Sequence, residues 1–80
     1  MWELEYADEV KFYFLDNYPY TFELLVKIEE LKFSEDGMPF EGDAGFRADY
    51  YWWRILNHTV IYWIFPDRQT IRILVVKPND

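Results

Sequence analysis

In the last third of the chain, from Asp49 to Val76, most positions outside two short polar stretches are apolar. Aromatic and β-branched residues fill three runs in this segment. The runs are separated by Asn57-His58 and by Pro66 to Gln69, which are turn-forming residue types. The pattern therefore predicts three consecutive antiparallel strands that are joined by two tight turns.

The lengths of these turns predict the register of the strands. A two-residue loop at Asn57-His58 places Arg54 opposite Ile61 on the next strand. A four-residue second loop places Trp63 opposite Arg72 on the last strand. Both arginines of these strands are thereby expected on the same side of the sheet.

Alternation of side chains divides the predicted sheet into two faces. The first, which we call the outer face, collects Tyr50, Trp52, Arg54, Thr59, Ile61, Trp63, Arg72 and Leu74. The second, which we call the core face, collects Tyr51, Trp53, Ile55, Val60, Tyr62, Ile64, Ile71, Ile73 and Val75. Because the core face carries no charge, we expect it to be covered by other parts of the chain, and the outer face to carry the function.

The first part of the chain predicts one strand and two helices. Trp2 to Tyr6 alternates apolar and acidic residues, which is typical of a strand that is buried on one side. Asp8 is the expected cap of a first helix, and Pro19 ends it. Thr21 is the expected cap of a second helix, whose apolar residues recur at intervals of three and four as far as Leu31.

The segment from Phe33 to Ala48 is rich in glycine and acidic residues, and it predicts one long connecting loop. The order of elements is then strand, helix, helix, loop and three strands, with no boundary at which a second domain begins. We therefore expect residues 1–80 to form a single α+β domain. In this arrangement the helical hairpin packs on the core face of a three-stranded meander.

Composition and charge narrow the class of protein. The 80 residues include no cysteine, which excludes disulfides and thiolate metal sites. The formal charge is −7, but residues 1–43 carry −9 and residues 44–80 carry +2. The predicted strands are thus a mildly basic region of an otherwise acidic protein. The net charge of −7 argues against general binding to the phosphate backbones of nucleic acids.

No segment has the ~20 apolar residues needed to span a bilayer, and the acidic N-terminus lacks the basic start of a signal peptide. A cytoplasmic protein is expected on these grounds. The acidic residues Glu35, Asp36, Glu41 and Asp43 do not have the ligand spacing of a calcium loop. We expect neither a metal nor a cofactor.

Two motifs give the chain a resemblance to a known family. The opening WELEYADEV, followed by a helical hairpin, and the later segment WWRILNHTVIYWI resemble the RelE/ParE superfamily of type II toxin–antitoxin toxins. The resemblance spans nearly the whole chain, although its motifs are short. It implies a toxin that inhibits translation or DNA gyrase and that is neutralised by a cognate antitoxin, with the ribosome and mRNA, or gyrase, as the target.

The resemblance assigns roles only to the positions that match. Arg54 matches the second arginine of the first strand in the family's hairpin, and Val60-Ile61-Tyr62 matches a Val-Ile-Tyr triplet. Trp52 stands where the family has its first arginine. Thr59 stands where ribosome-dependent endoribonucleases of the family carry an arginine that holds the scissile phosphate. Most of the usual catalytic residues are therefore missing, and enzymatic activity is left open.

Cleavage of RNA requires a base, an acid and cations at the phosphate. Arg54 and Arg72 are the candidates for phosphate binding, and His58 or a tyrosine such as Tyr50 for proton transfer; Lys77 is a further candidate. Each of these assignments has a simpler alternative. The arginines can lie over tryptophan rings, a contact of ~0.5–1 kcal/mol at an exposed site, and His58 can be a solvated residue at the tip of a hairpin.

The outer face also fits a role in binding proteins, because tryptophan, tyrosine and arginine dominate the energetics of protein interfaces. The alternative to a toxin is accordingly a non-catalytic interaction module, such as a degenerate toxin. Such a module would dimerise, or bind a peptide, through the arginines and tryptophans of the outer face.

Overall fold

Residues 1–79 are described by a computed structural model, and Asp80 lies outside the described residues. The elements in chain order are β1 (Glu3–Tyr6), α1 (Asp8–Asp16), α2 (Phe22–Glu29), a 3-10 helix (Glu30–Phe33), β2 (Asp43–Arg47), β3 (Tyr50–Ile55), β4 (His58–Phe65), a second 3-10 helix (Pro66–Arg68) and β5 (Thr70–Pro78). The class is α+β, as predicted. No helix in the described part of the chain is long and apolar enough to cross a membrane.

The five strands form one mixed sheet in the order β1-β5-β4-β3-β2. Strands β2 to β5 make an antiparallel meander, and β1 pairs with β5 in the parallel direction. The connection from β1 to the meander passes through the two helices. The meander thus has four strands instead of the predicted three.

The helices cover one face of the sheet, and the core lies between the two layers. Val10 of α1 is 1% exposed, and Leu24 and Ile28 of α2 are 2% and 0% exposed. They belong to one cluster with buried residues of the sheet, namely Trp53, Ile55, Val60, Tyr62, Ile64, Ile71, Ile73 and Val76. The predicted core face is therefore confirmed, except at its C-terminal end.

A β-bulge changes the faces of β5 near that end. Ile61 pairs with Val75 whereas Tyr62 pairs with Ile73, so Leu74 is an extra residue on β5. Beyond the bulge the alternation is reversed: Val75 is 39% exposed and Val76 is buried. The prediction that Val75 lies in the core was wrong. Leu74, expected on the outer face, is the half-buried residue of the bulge itself.

The first hairpin turns one residue earlier than predicted. Ile55 pairs with His58, so the loop is Leu56-Asn57, and Arg54 lies opposite Thr59 instead of Ile61. Both loop residues have positive φ, 50° and 59°, which are the signs of a type I′ turn. The observed pairing of β3 with β4 differs from the predicted pairing by two residues. Because side chains alternate with a period of two, each one stays on its predicted face. The second loop was predicted correctly, since Trp63 lies opposite Arg72.

The predicted loop from Phe33 to Ala48 contains an edge strand, β2. Its residues Asp-Ala-Gly-Phe-Arg have little intrinsic preference for strands, and only pairing with β3 makes them extended. Both predicted helix caps also differ in detail. Ala7, not Asp8, is the N-cap of α1, and Thr21 caps α2 by position but makes no capping hydrogen bond through its side chain.

Candidate binding face

The outer face brings together side chains from all four strands of the meander. Arg54 of β3 lies opposite Thr59 of β4, and Thr59 lies opposite Lys77 of β5. Trp52 lies opposite Ile61 in the next row. Directly paired residues in antiparallel strands share a face, so Arg54 and Lys77 flank Thr59 on the same side of the sheet.

These rows form a depression of about 630 Å³, which we call the basic concavity. Its lining includes three basic side chains, those of Arg47, Arg54 and Lys77. The apolar part of its lining comes from Tyr50, Trp52 and Ile61, among others. Five of the eight residues predicted for the outer face line it: Tyr50, Trp52, Arg54, Thr59 and Ile61. Trp63, Arg72 and Leu74 do not.

The three cations of the basic concavity are not neutralised by neighbouring acids. Within residues 1–79, none of them has a carboxylate within 4.0 Å, although Asp43 lies opposite Arg54 in the sheet register. Arg72 differs, because its Nη1 lies 3.3 Å from Oε1 of Glu5 on β1. Arg72 is thus paired within the fold, whereas the basic concavity keeps a local positive charge.

A glycine, a tryptophan and an arginine fix the geometry of the basic concavity. Gly45 of β2 lies opposite Trp52, and a Cβ atom at Gly45 would come within 2.9 Å of Cζ2 of the indole. The absence of a side chain lets the indole lie against the edge strand. The Arg54 guanidinium carbon in turn lies 5.4 Å from the Trp52 ring centroid, a cation–π contact. The predicted contact of an arginine with Trp52 is therefore confirmed, and it leaves the guanidinium exposed.

His58 is a structural residue, and the prediction that it is a solvated residue at a hairpin tip was wrong. It is the first residue of β4 and is 3% exposed. Its Nδ1 lies 2.7 Å from the Leu56 carbonyl oxygen, and its Nε2 lies 2.7 Å from the Tyr13 hydroxyl. With both ring nitrogens engaged and the ring buried, His58 is not placed to transfer protons at the outer face.

Trp63 belongs to a cluster of aromatic rings beside the basic concavity. Its ring centroid lies 6.0 Å from that of Phe46 and 5.7 Å from that of Tyr51. Tyr51 stacks on Tyr62 at 5.5 Å, and burial raises the pKa of the Tyr62 hydroxyl. Trp63 does not line the basic concavity, so Trp52 is the tryptophan that the basic concavity presents.

The sequence did not place two of the three cations on the outer face: Arg47 was not among the candidates, and Lys77 was a candidate without a position in the sheet. Arg47 was assigned to a loop because β2 was not recognised. Lys77 would fall on the core face if β5 alternated strictly from Arg72, and the bulge moves it to the outer face. A lysine at a core position is costly to bury, and this conflict is the signal that could have revealed the bulge.

Elsewhere, polar contacts anchor the helical layer to the rest of the fold. The Tyr6 hydroxyl donates a short hydrogen bond to Glu29, and Lys32 Nζ lies 2.6 Å from the same carboxylate. Burial opposes ionisation of Glu29, but the hydrogen bonds from Lys32 and Tyr6 outweigh it and lower the pKa of Glu29. Burial and the Glu29 carboxylate raise the pKa of Tyr6.

No cluster of three His, Cys, Asp or Glu side chains among the described residues could hold a metal ion. No protein-family model and no curated protein matches the chain. The properties of the basic concavity are therefore the basis for a functional proposal.

Proposed function

We propose that this protein is a RelE/ParE-like toxin component of a type II toxin–antitoxin pair, and that it inhibits its target by binding through the outer face. The observation that carries the proposal is the set of cations around Trp52 that have no carboxylate within 4.0 Å among residues 1–79. Arg54, the position that matches the family's motif, lies in this set. The order of strand, helical hairpin and antiparallel meander, with the helices on one face, also supports it.

The same geometry favours inhibition by binding over cleavage of RNA. Acid–base catalysis needs a proton donor and a proton acceptor within hydrogen-bond reach of the reacting atoms. His58 is engaged with Tyr13 and Leu56, and Arg72 is paired with Glu5.

Tyr50 and Lys77, which the sequence also offered for this chemistry, do line the basic concavity, but no carboxylate or imidazole of the described residues lines it to act as a base. The groups present are suited to holding an anion. A gyrase-directed mode of inhibition agrees better with these groups than a ribonuclease mode.

Induced expression in a bacterial host tests the proposal. The wild-type chain is expected to arrest growth, and the double variant Arg54→Ala with Lys77→Ala is expected to relieve the arrest at equal protein level. Arg72→Ala is the matched control, because Arg72 is an outer-face arginine that lies outside the basic concavity. Growth that is unaffected by the wild-type chain, or arrest that persists in the double variant, would contradict the proposal.

A second candidate function is a non-catalytic interaction module. It is favoured by the apolar side chains that the outer face leaves accessible beside Arg54, namely the half-buried Trp52 and Ile61 and the exposed Val75. Such a module would form a stable complex without arresting growth. Absence of arrest, together with a complex that is lost in the double variant, would support this candidate over the toxin.

A further inference from the structure

We propose that the basic concavity binds an acidic segment of a polypeptide chain, in preference to a nucleic-acid strand. The inference deepens the proposed function and rests on it, since it names the chemical class of the partner at the same face. The segment would place carboxylates on Arg54 and Lys77, and an apolar side chain on Trp52 and Ile61.

The cations make an anion the natural ligand. Arg54 and Lys77 are exposed, and they flank Thr59 across adjacent strands. Two strand spacings separate them, or about 10 Å between Cα atoms. A guanidinium and an ammonium at this separation can each donate charge-assisted hydrogen bonds to a different carboxylate of one extended peptide. Residues two apart in such a peptide lie about 7 Å from each other on the same side, within the reach of these long side chains.

The apolar part of the basic concavity specifies an apolar side chain two residues from a carboxylate, on the same side of the extended peptide. Trp52 is half-buried and its ring lies against Gly45, so one part of the indole is covered by the protein itself and the rest is left for a ligand. Ile61 lies directly opposite it. An aliphatic or aromatic side chain that covers both would exclude water from the ion pairs, and the pairs would gain strength in the lower local dielectric.

Acidic residues at both edges of the same face disfavour a polynucleotide. Asp43 on β2 lies opposite Arg54, while Glu3 lies on β1 at the other edge. A five-stranded sheet is about 19 Å wide, so a nucleic-acid strand that crosses it passes these carboxylates within about one Debye length of ~8 Å. The whole chain has a formal net charge of −7, which adds to the repulsion of a long polyanion. A short acidic peptide can end before it reaches either edge.

Titration with capped peptides tests this inference. The probe is an acetylated and amidated peptide of the sequence Glu-Ser-Glu-Ser-Leu, in which both carboxylates and the leucine lie on one side when the peptide is extended. Its partner is the same peptide with glutamine in place of each glutamate. Binding is followed by the indole N–H resonances in two-dimensional NMR. We expect the acidic peptide to shift the Trp52 resonance, with a dissociation constant below about 1 mM at low salt. The amide peptide should bind about tenfold more weakly or not at all.

Variants locate the binding site. Arg54→Gln and Lys77→Gln should each weaken binding of the acidic peptide about fivefold, whereas Arg72→Gln, whose side chain is outside the basic concavity, should leave it unchanged. The side chains of Arg54, Lys77 and Arg72 are all exposed, and circular dichroism verifies that each variant is folded. A fivefold loss in Arg72→Gln as well would mean that binding reports the net charge of the face, and it would overturn the proposed site.

The remaining outcomes separate this inference from the proposed function. Equal binding of the amide peptide, no shift up to about 1 mM, or tighter binding of a single-stranded hexauridylate would overturn the choice of an acidic peptide. Self-association of the protein that is lost in Arg54→Gln would show that a second copy of the chain is the occupant, which also overturns it. The growth assay tests the proposed toxin function independently. Growth arrest without peptide binding would therefore contradict only the inference about the ligand.

Discussion

The hydroxyl of Tyr13 and Nε2 of His58 lie 2.7 Å apart and join α1 to the first residue of β4. A carbonyl oxygen can only accept, so the contact with Leu56 O places the His58 proton on Nδ1. With that proton on Nδ1 and none on Nε2, Nε2 accepts the proton of the Tyr13 hydroxyl. Burial raises the pKa of Tyr13, which keeps that proton on the hydroxyl.

This contact predicts a cost in stability when either partner is truncated. Tyr13→Phe should lower the free energy of unfolding by about 1 kcal/mol, because it leaves a buried ring nitrogen without a donor. His58→Ala should cost about 2–3 kcal/mol, since it also leaves a cavity. Urea unfolding measures both. Tyr20→Phe is the control, because the Tyr20 ring lies beside His58 without a hydrogen bond to it. Loss of growth arrest in His58→Ala at unchanged stability would point to a functional role for the ring.

The position of Trp52 is expected to depend on Gly45. In Gly45→Ala the new methyl group would approach the indole to 2.9 Å, so the ring must move and the Arg54 guanidinium moves with it. We expect a changed Trp52 indole resonance and weaker binding at the basic concavity, with the fold retained. Ala44→Gly, one residue earlier on the same strand, is the control. An unchanged indole resonance in Gly45→Ala would refute the positioning role.

The type I′ turn at Leu56-Asn57 places a leucine at φ 50°, a backbone conformation that residues other than Gly, Asn and Asp rarely adopt. Leu56→Asn should therefore raise the free energy of unfolding by about 0.5–1 kcal/mol. Thermal unfolding followed by circular dichroism measures the change. Leu56→Val, with a β-branched side chain, should instead lower the stability. If Leu56→Asn were destabilising, packing of the leucine would outweigh the strain.

The lowered pKa of Glu29 predicts a loss of stability in acid. A carboxylate whose pKa is lower in the folded protein than in the unfolded chain stabilises the fold above the unfolded value of 4.5, and this contribution disappears as the pH falls below it. Because the side chain is 37% exposed, solvent screening keeps the effect below about 1 kcal/mol. Glu29→Gln should flatten the acid limb of stability against pH. Glu30→Gln, at a neighbouring residue without an ion pair in the described structure, should not.

The amino-acid composition of β2, which includes a glycine, did not predict a strand, and pairing with β3 creates it. The residues of β2 predict a loop, and they become extended because β3 offers them an unpaired edge. Arg47 joins the basic concavity only through this pairing. Local sequence could not show it, since the stabilising hydrogen bonds come from another segment.

The sequence by itself determined the class of the fold, the two faces of β3 and β4, and the register of Trp63 with Arg72. These follow from a period of two and from a turn whose residues can adopt few other conformations. Tertiary structure alone decided where the first hairpin turns, since a buried partner, Tyr13, satisfies His58 inside a strand. It also decided that Lys77 joins Arg54, because the bulge at Leu74 reverses the alternation of β5. The two-residue period of a strand predicts which face a side chain occupies only up to a bulge. The position of the bulge depends on contacts with other elements, which the local sequence does not show.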